Sequence, residues 1–250
     1  MAHGAMTKES VGWGALTGAV AALLAEQGFT GPETVLDEPH HRAESDLAPF
    51  ADLGARYRIT EVYVKRFPAC LMTHAAVDAA LELRSRLGLR VEEIAGVTVW
   101  TQRGAVALDD PAPRSSEGAQ YSIPYTVAAA LVHGALGVEQ MLEERLGDRR
   151  TLELAARVAV RHDPRLDQMY PARRPARVAI RTVAGQAHER EVLVIRGSSE
   201  DPLRADEVEA KFLGLAEPVV GKGRADRILH LLREIETRAD LSPLWRALAG

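Results

Sequence analysis

The stretch VKRFPACLMTHAAVDAAL, residues 64–81, decides the fold, because an extended segment gives way to a helix within it. Up to Phe67 the sequence alternates polar residues with β-branched and aromatic ones, which predicts a strand over residues 57–67. Pro68 ends that strand, since proline has no N–H to donate to a neighbouring strand. Apolar residues at helical spacing then predict a helix over residues 71–87.

The sequence after this helix predicts a sheet with further helices. Strands are expected at 97–101, 157–162, 176–183 and 188–195, and helices at 118–134 and 138–146. Ala184-Gly185 predicts the turn of a hairpin between the last two strands. Helices are expected again at 205–215, 223–236 and 242–249. Asp206 and Glu209 have the spacing of a capping box on the first of these.

One helix is predicted before the extended segment, over residues 11–28, where alanine is abundant and the leucines fall near helical spacing. Gly28 predicts its C-terminal cap. Gly12, Gly14 and Gly18 make the start of this helix thin, which favours close helix packing. A backbone that approaches a ligand is the alternative interpretation.

This order of elements predicts an α+β fold. We expect a small α+β domain, a sheet with packed helices, at residues 57–199. It is flanked by N- and C-terminal helices, at 1–56 and 200–250, that belong to a mostly helical domain. The two flanks total about 100 residues, and a helical layer that small buries a poor fraction of its surface. We therefore expect that part of the helical layer is missing from this chain.

Composition excludes several classes of function. The single cysteine excludes an intramolecular disulfide and a cysteine-based metal site. The net charge of −4 argues against a nucleic-acid partner, which normally requires a basic excess. The N-terminus lacks the pattern of a signal peptide, and the apolar stretch at 15–25 is too short to span a bilayer. We expect a cytoplasmic protein with no membrane partner.

The end of the first strand is a candidate site for an anion. Lys65 and Arg66 lie where the strand ends, and the helix that follows offers free backbone N–H groups and a positive dipole near Cys70. A carboxylate would bind well there, and a basic strand terminus at the surface is the alternative. His74 shares the helix face of Cys70 by its i, i+4 spacing. It is either a proton-transfer group or a packed histidine.

Tyr125 is the second candidate. Ser122 predicts an N-cap and Pro124 a first helical position, so Tyr125 lies at a helix start. Its phenol would serve as a proton donor or a carboxylate clamp. Tyr121 and Tyr125 are four residues apart, and a tyrosine stripe at that spacing also suits a buried core.

Four motifs of this sequence occur in an order that resembles one family. They are WGALTGAVAALLAEQGFTGP at 13–32, VKRFPACLMTHAAVDAAL at 64–81, EGAQYSIPYTVAAALVHG at 117–134 and EDPLRADEVEAKF at 200–212. Together they resemble the C-terminal half of the MmgE/PrpD family, which includes 2-methylcitrate dehydratase and cis-aconitate decarboxylase.

The resemblance implies a larger helical domain beside a smaller α+β domain, a homodimer, and no metal or organic cofactor. It implies proton abstraction next to a carboxylate, followed by loss of water, loss of carbon dioxide or re-protonation. By motif, Lys65 matches the family's active-site lysine and Tyr125 its helix-start tyrosine. Cys70 stands where the family often has histidine. Lys8 lies one residue away from the position of a second active-site lysine.

Two functions follow from these observations. The first is a lyase or isomerase of small di- or tricarboxylic acids, acting by 2-methylcitrate dehydratase-like proton abstraction and elimination. Because the family's N-terminal half carries an Asp and a His-Pro-Gly region that this sequence lacks, the first hypothesis needs a separate N-terminal-half polypeptide. The second is a non-catalytic truncated relative that binds carboxylates or a protein partner.

Overall fold

The computed structural model describes residues 11–31, 52 and 54–249. The chain divides into two compact units, residues 1–61 and residues 62–250. No helix in the described part is long and apolar enough to cross a membrane. The prediction that the two ends of the chain belong to one helical layer stays a prediction.

Helix α1, Val11–Glu26, is the main described element of the first unit. Gly28 ends it as predicted, with a φ of 83° that favours glycine, and the amide of Phe29 bonds back to the carbonyl of Leu24 at 3.0 Å. Its large apolar side chains are exposed, Leu23 at 63% for example. A Cβ at Gly12, Gly14 or Gly18 would meet no described atom of the first unit within 4 Å, and the close packing expected of these glycines stays a prediction.

The second unit is built on a four-stranded mixed sheet in the order β2-β1-β3-β4. The strands are β1 (Ile94–Thr101), β2 (Val158–His162), β3 (Ala176–Thr182) and β4 (Ala187–Val192). Strand β1 pairs with β2 in parallel and with β3 antiparallel. Strands β3 and β4 form the predicted hairpin, whose turn contains Gly185 at a φ of 84°.

Two helices cover one face of this sheet. Helix α2 (Leu71–Leu87) packs on β3 and β4, and α4 (Ile123–His133) packs on α2 and β2. Their inward faces are rich in alanine, which lets helix and sheet approach closely. The sheet contributes fully or almost fully buried residues to the same core, among them Ile94, Val97, Val99, Val178 and Ile180. The predicted small α+β domain is confirmed.

The helix predicted at 118–134 is two helices, α3 (Ser116–Gln120) and α4. The break has a local cause, because the hydroxyl of Ser122 accepts a hydrogen bond from the amide of Tyr125 at 2.9 Å and so caps α4. Pro124 lies in the first turn of α4, where its missing N–H costs nothing.

Two other predictions are wrong. No strand forms within residues 57–67: Arg58–Glu61 is one 3₁₀ turn, and an irregular extended segment follows. Residues 138–146 form two short 3₁₀ turns instead of a helix, and the helix comes later as α5 (Arg149–Ala155), capped by Asp148. A short helix, α6 (Pro164–Asp167), lies between β2 and β3.

Three helices end the chain: α7 (Ala205–Val220), α8 (Lys222–Arg233) and α9 (Ser242–Ala249). They share a small core of Ile228, Leu231, Leu244 and Ala247, against which Phe212 packs. At the start of α7 the carboxylate that caps the helix belongs to Glu207, and the predicted capping box of Asp206 and Glu209 does not form. The carboxylate of Glu207 accepts the Arg204 amide at 2.8 Å, so the N-cap position is Arg204, two residues before the predicted Asp206.

Candidate functional site

The segment 64–70, which carries Lys65, Arg66 and Cys70, is held by distant parts of the second unit. The amide of Val64 donates to the carbonyl of Gly197 at 2.8 Å. The amide of Cys70 donates to the carbonyl of Gln120 at 2.8 Å, which ties the segment to the end of α3. Main-chain bonds at both ends therefore fix the path of a segment that belongs to no sheet.

Gly197 makes the first of these ties possible. Its φ is 95°, a conformation that residues with a side chain rarely adopt. A Cβ at this position would lie 2.2 Å from the carbonyl oxygen of Val64, closer than any real contact. Glycine is therefore required both by its backbone angle and by the approach of the Lys65 segment.

Arg66 points back onto helix α2. Its guanidinium lies 2.7 Å from Oδ1 of Asp78, and its charge stacks over the ring of Phe67 at 5.2 Å. Burial raises the pKa of Asp78 to about 6, although the charge of Arg66 opposes that shift. Arg66 is thus committed to an ion pair, and the predicted substrate-binding role of Arg66 would require it to share its charge with Asp78.

Lys65 and the start of α2 remain available to an anion. Lys65 is exposed, and Cys70 is half-buried directly before the first residue of α2. No side chain of the described residues caps this helix start. A helix of 17 residues presents a positive dipole end and free N–H groups at such a point. The anion site that combines this cation with a helix N-terminus stays a prediction.

His74 is buried in the core and is not placed to contact a substrate. It is fully shielded from solvent, its ring packs on Phe67 with centroids 5.2 Å apart, and Nε2 lies 3.4 Å from the carbonyl oxygen of Ala69. Burial lowers the pKa of His74 to about 4, and the charges of Lys65 and Lys211 add to this effect. The alternative interpretation, a packed histidine, fits this geometry, and His74 is neutral at pH 7.

Tyr125 lies in the buried core of the second unit. Its side chain is almost fully buried, and its hydroxyl donates to the carbonyl oxygen of Gln140 at 2.9 Å. Burial raises the pKa of Tyr125, and the charge of Asp148 adds to the shift. Asp148 is the cap of α5, so the phenol points toward that helix start. The predicted roles of proton donor and carboxylate clamp stay predictions, and this geometry fits the alternative of a buried core tyrosine.

One residue of the site was missed by the sequence analysis. Lys211 on α7 donates a hydrogen bond from its ammonium to the main-chain carbonyl of Lys65. Burial lowers the pKa of Lys211, and the charge of Lys65 contributes to the shift. Lys211 belongs to the motif EDPLRADEVEAKF, which carries part of the family resemblance. The motif alone gives this lysine no role.

Two further predictions concern Lys8 and metals. Lys8, the expected second lysine, lies outside the described residues. Within the ranges 11–31 and 54–249, histidine, cysteine and carboxylate side chains form no group of three or more that would suit a metal ion.

Comparison with known proteins gives a family match for most of the second unit. Residues 67–237 match the model of the MmgE/PrpD C-terminal domain, which is more than half of the chain. The match includes α2, the whole sheet and helices α7 and α8. It also includes Lys211, while Lys65 lies two residues before its start.

Curated relatives are similar over nearly the whole chain. The cis-aconitate decarboxylase-like protein oryM of Aspergillus oryzae is 25% identical over 94% of this chain and 53% of its own length. Human cis-aconitate decarboxylase is 24% identical over 96% of this chain and 52% of its own length. The mouse enzyme of that name is 24% identical over 76% of this chain. The chain spans about half the length of the curated relatives it matches.

Proposed function

Because this chain belongs to the MmgE/PrpD family, we propose that it provides the carboxylate-binding part of a lyase or isomerase of small di- or tricarboxylic acids. The observation that carries the proposal is the exposed Lys65, six residues before the uncapped start of α2. A substrate carboxylate bound there would place the adjacent C–H bond next to a positive charge. That charge stabilises the carbanion-like transition state of proton abstraction.

The reaction needs more than the described residues supply. His74 is buried, and Tyr125 would have to exchange its bond to Gln140 for one to the substrate before it could transfer a proton. The sequence contains no His-Pro-Gly segment, and Cys70 occupies the position where the family often has histidine. We therefore propose that acid and base groups come from the family's N-terminal half.

An activity screen tests this proposal. The chain is mixed with the N-terminal-half polypeptide of a family member, and the mixture is offered 2-methylcitrate, cis-aconitate and iminodisuccinate. The names of the relatives make cis-aconitate the first substrate to test. We expect turnover of one of these acids by the mixture and little by the isolated chain. No turnover of any of them would contradict the proposed reaction.

Matched lysine variants make the same screen specific. Lys65→Ala removes the exposed cation, and Lys222→Ala removes a lysine that already pairs with Glu217 and Asp226. Loss of one contact between a charged group and its partner costs about 1.5–3 kcal/mol, so Lys65→Ala should weaken binding of citrate in calorimetry by roughly tenfold to a hundredfold. Lys222→Ala should bind as the wild type does. Equal affinities of wild type and Lys65→Ala would contradict the site.

The second candidate function is a non-catalytic module that binds carboxylates or a protein partner. The buried, neutral His74 favours it, because the described chain then lacks an accessible imidazole at the site. Citrate binding that depends on Lys65, without turnover in any mixture, would favour this candidate.

A further inference from the structure

Lysine is rare in this protein, and its positions are therefore informative. Only four of the 31 lysine and arginine residues are lysines, at positions 8, 65, 211 and 222. Two of these, Lys65 and Lys211, are 146 residues apart in sequence and meet in the fold. Almost all other positively charged side chains are arginines. Two of the few compact ammonium groups therefore belong to residues that contact each other.

The ammonium of Lys211 has more N–H donors than its hydrogen bond to Lys65 uses. It has three N–H groups, and the hydrogen bond to the carbonyl of Lys65 uses one of them. Lys211 is half-buried and Lys65 is exposed, so the pair lies at the surface of the second unit, with one member partly shielded from water. A bound anion could therefore reach both ammonium groups.

No carboxylate of the described residues neutralises the charge of this pair. Within the described part of the chain, neither Lys65 nor Lys211 forms an ion pair with a carboxylate, whereas Lys222 lies within 4 Å of both Glu217 and Asp226. The two ammonium groups also repel each other, since the charge of Lys65 acts with burial to lower the pKa of Lys211. An anion between them would remove this repulsion.

We propose that Lys65 and Lys211 form a two-lysine subsite that binds one carboxylate of a di- or tricarboxylic acid. The inference rests on the proposed function and adds Lys211 as a substrate-binding residue. One ammonium comes from the segment before α2 and the other from α7, so each contacts the carboxylate from a different side. The bond to the Lys65 carbonyl holds Lys211 in position while its remaining N–H groups face the ligand.

A labelling experiment on the wild-type chain tests the subsite without any mutation. Lysine side chains are acetylated with a limiting reagent, with and without citrate, and the extent at each lysine is measured by mass spectrometry. Citrate should protect Lys65 and Lys211 together, at the same concentration, and leave Lys222 unchanged. Protection of Lys65 alone would overturn the proposal, and so would the absence of protection at both lysines.

Calorimetry with citrate separates binding from a merely structural role. Lys211→Met keeps the length of the side chain and removes the charge, and it should weaken citrate binding at least about tenfold, equivalent to about 1.4 kcal/mol. Lys211→Arg should retain part of the affinity, and Lys222→Met should retain all of it. A folded Lys211→Met protein that binds citrate as tightly as the wild type would overturn the subsite.

The outcomes also distinguish the inference from the proposed function. Citrate binding that requires both lysines, with no turnover in the mixture of both halves, would support the subsite and contradict the lyase. Turnover in that mixture, together with citrate binding by Lys211→Met that is as tight as that of the wild type, would support the lyase and contradict the subsite. A wild-type chain that binds no citrate would overturn the two-lysine subsite, whatever the activity screen gives.

Discussion

The amide of Val64 donates to the carbonyl of Gly197 at 2.8 Å, and the two backbones are so close that glycine is the only residue that fits at 197. The contact joins the segment before α2 to the loop after β4. It places Lys65 next to α7, because Lys65 directly follows Val64 and α7 directly follows that loop. The position of the candidate site thus depends on a glycine that contributes no chemistry.

Gly197→Ala should destabilise the second unit strongly. Backbone strain at a φ of 95° and the overlap with Val64 together cost on the order of 3 kcal/mol. Gly185→Ala is the matched control, since its φ is 84° and no described atom lies within 4 Å of the added Cβ. It should cost only about 1 kcal/mol. Denaturant unfolding measures both changes, and equal losses would show that the close approach to Val64 is unimportant.

Tyr125→Phe should lower stability without affecting citrate binding. The variant removes the hydrogen bond to the Gln140 carbonyl, which is worth about 1 kcal/mol for a neutral pair. Thermal unfolding and calorimetry measure the two effects. Loss of turnover by the completed enzyme, with stability unchanged, would instead return Tyr125 to the role of proton donor.

His74 should make the folded state sensitive to acid. Its pKa is about 4 in the fold and 6.5 when unfolded, so between these values the unfolded chain binds a proton that the native state does not. The contribution of His74 to stability should therefore fall as the pH drops from 6.5 to 4, by an amount on the order of 3 kcal/mol. His74→Leu should remove this contribution and leave the opposite pH dependence of Asp78. His230→Gln, at an exposed histidine, should retain it in unfolding experiments across this range.

Asp78, one turn further along α2, should give stability the opposite dependence on pH. Burial raises its pKa from 3.8 to about 6, so between these values the native state holds a proton that the unfolded chain has lost. Its contribution to stability should fall as the pH rises through this range, again on the order of 3 kcal/mol. Asp78→Asn should leave stability rising with pH, because His74 then acts alone. A flat profile for Asp78→Asn, matching that of Glu82→Gln, would contradict the assignment.

The exposed apolar side chains of α1 should make the isolated chain associate. Trp13, Leu16 and Leu23 are more than half exposed, and contiguous apolar surface usually marks an interaction site. We expect a dimer, or a complex with the N-terminal half, in light scattering. The double variant Leu16→Gln, Leu23→Gln should shift the mass toward the monomer, and Glu26→Gln should not. A wild-type monomer with a full dehydratase rate would show that no partner is needed.

How far the sequence determines the structure differs from element to element. Helix α2 was predicted to the residue, because Pro68 bars an earlier start and Gly88, at a φ of 61°, ends it. The strand predicted at 57–67 does not form. Alternation of polar and apolar residues indicates a preference of the side chains, but it does not show whether a neighbouring strand exists to pair with. Tyr57 and Ile59 are exposed in consequence.

The candidate site shows the same division. Lys65 and the start of α2 are local features, so they could be predicted from one stretch of sequence. The burial of His74, the partner of Tyr125 and the approach of Lys211 all depend on how distant elements pack. Sequence spacing carries no information about such contacts when 146 residues separate the two lysines.

That separation has a consequence for the order of folding. Contacts between residues far apart in sequence form late, because a long loop must close before they are made. During synthesis the Lys65 segment leaves the ribosome well before α7 exists, and it must wait for nearly the whole chain before Gly197 and Lys211 can fix it. Carboxylate binding would therefore be acquired only at the end of folding, and a chain interrupted before α7 could not acquire it.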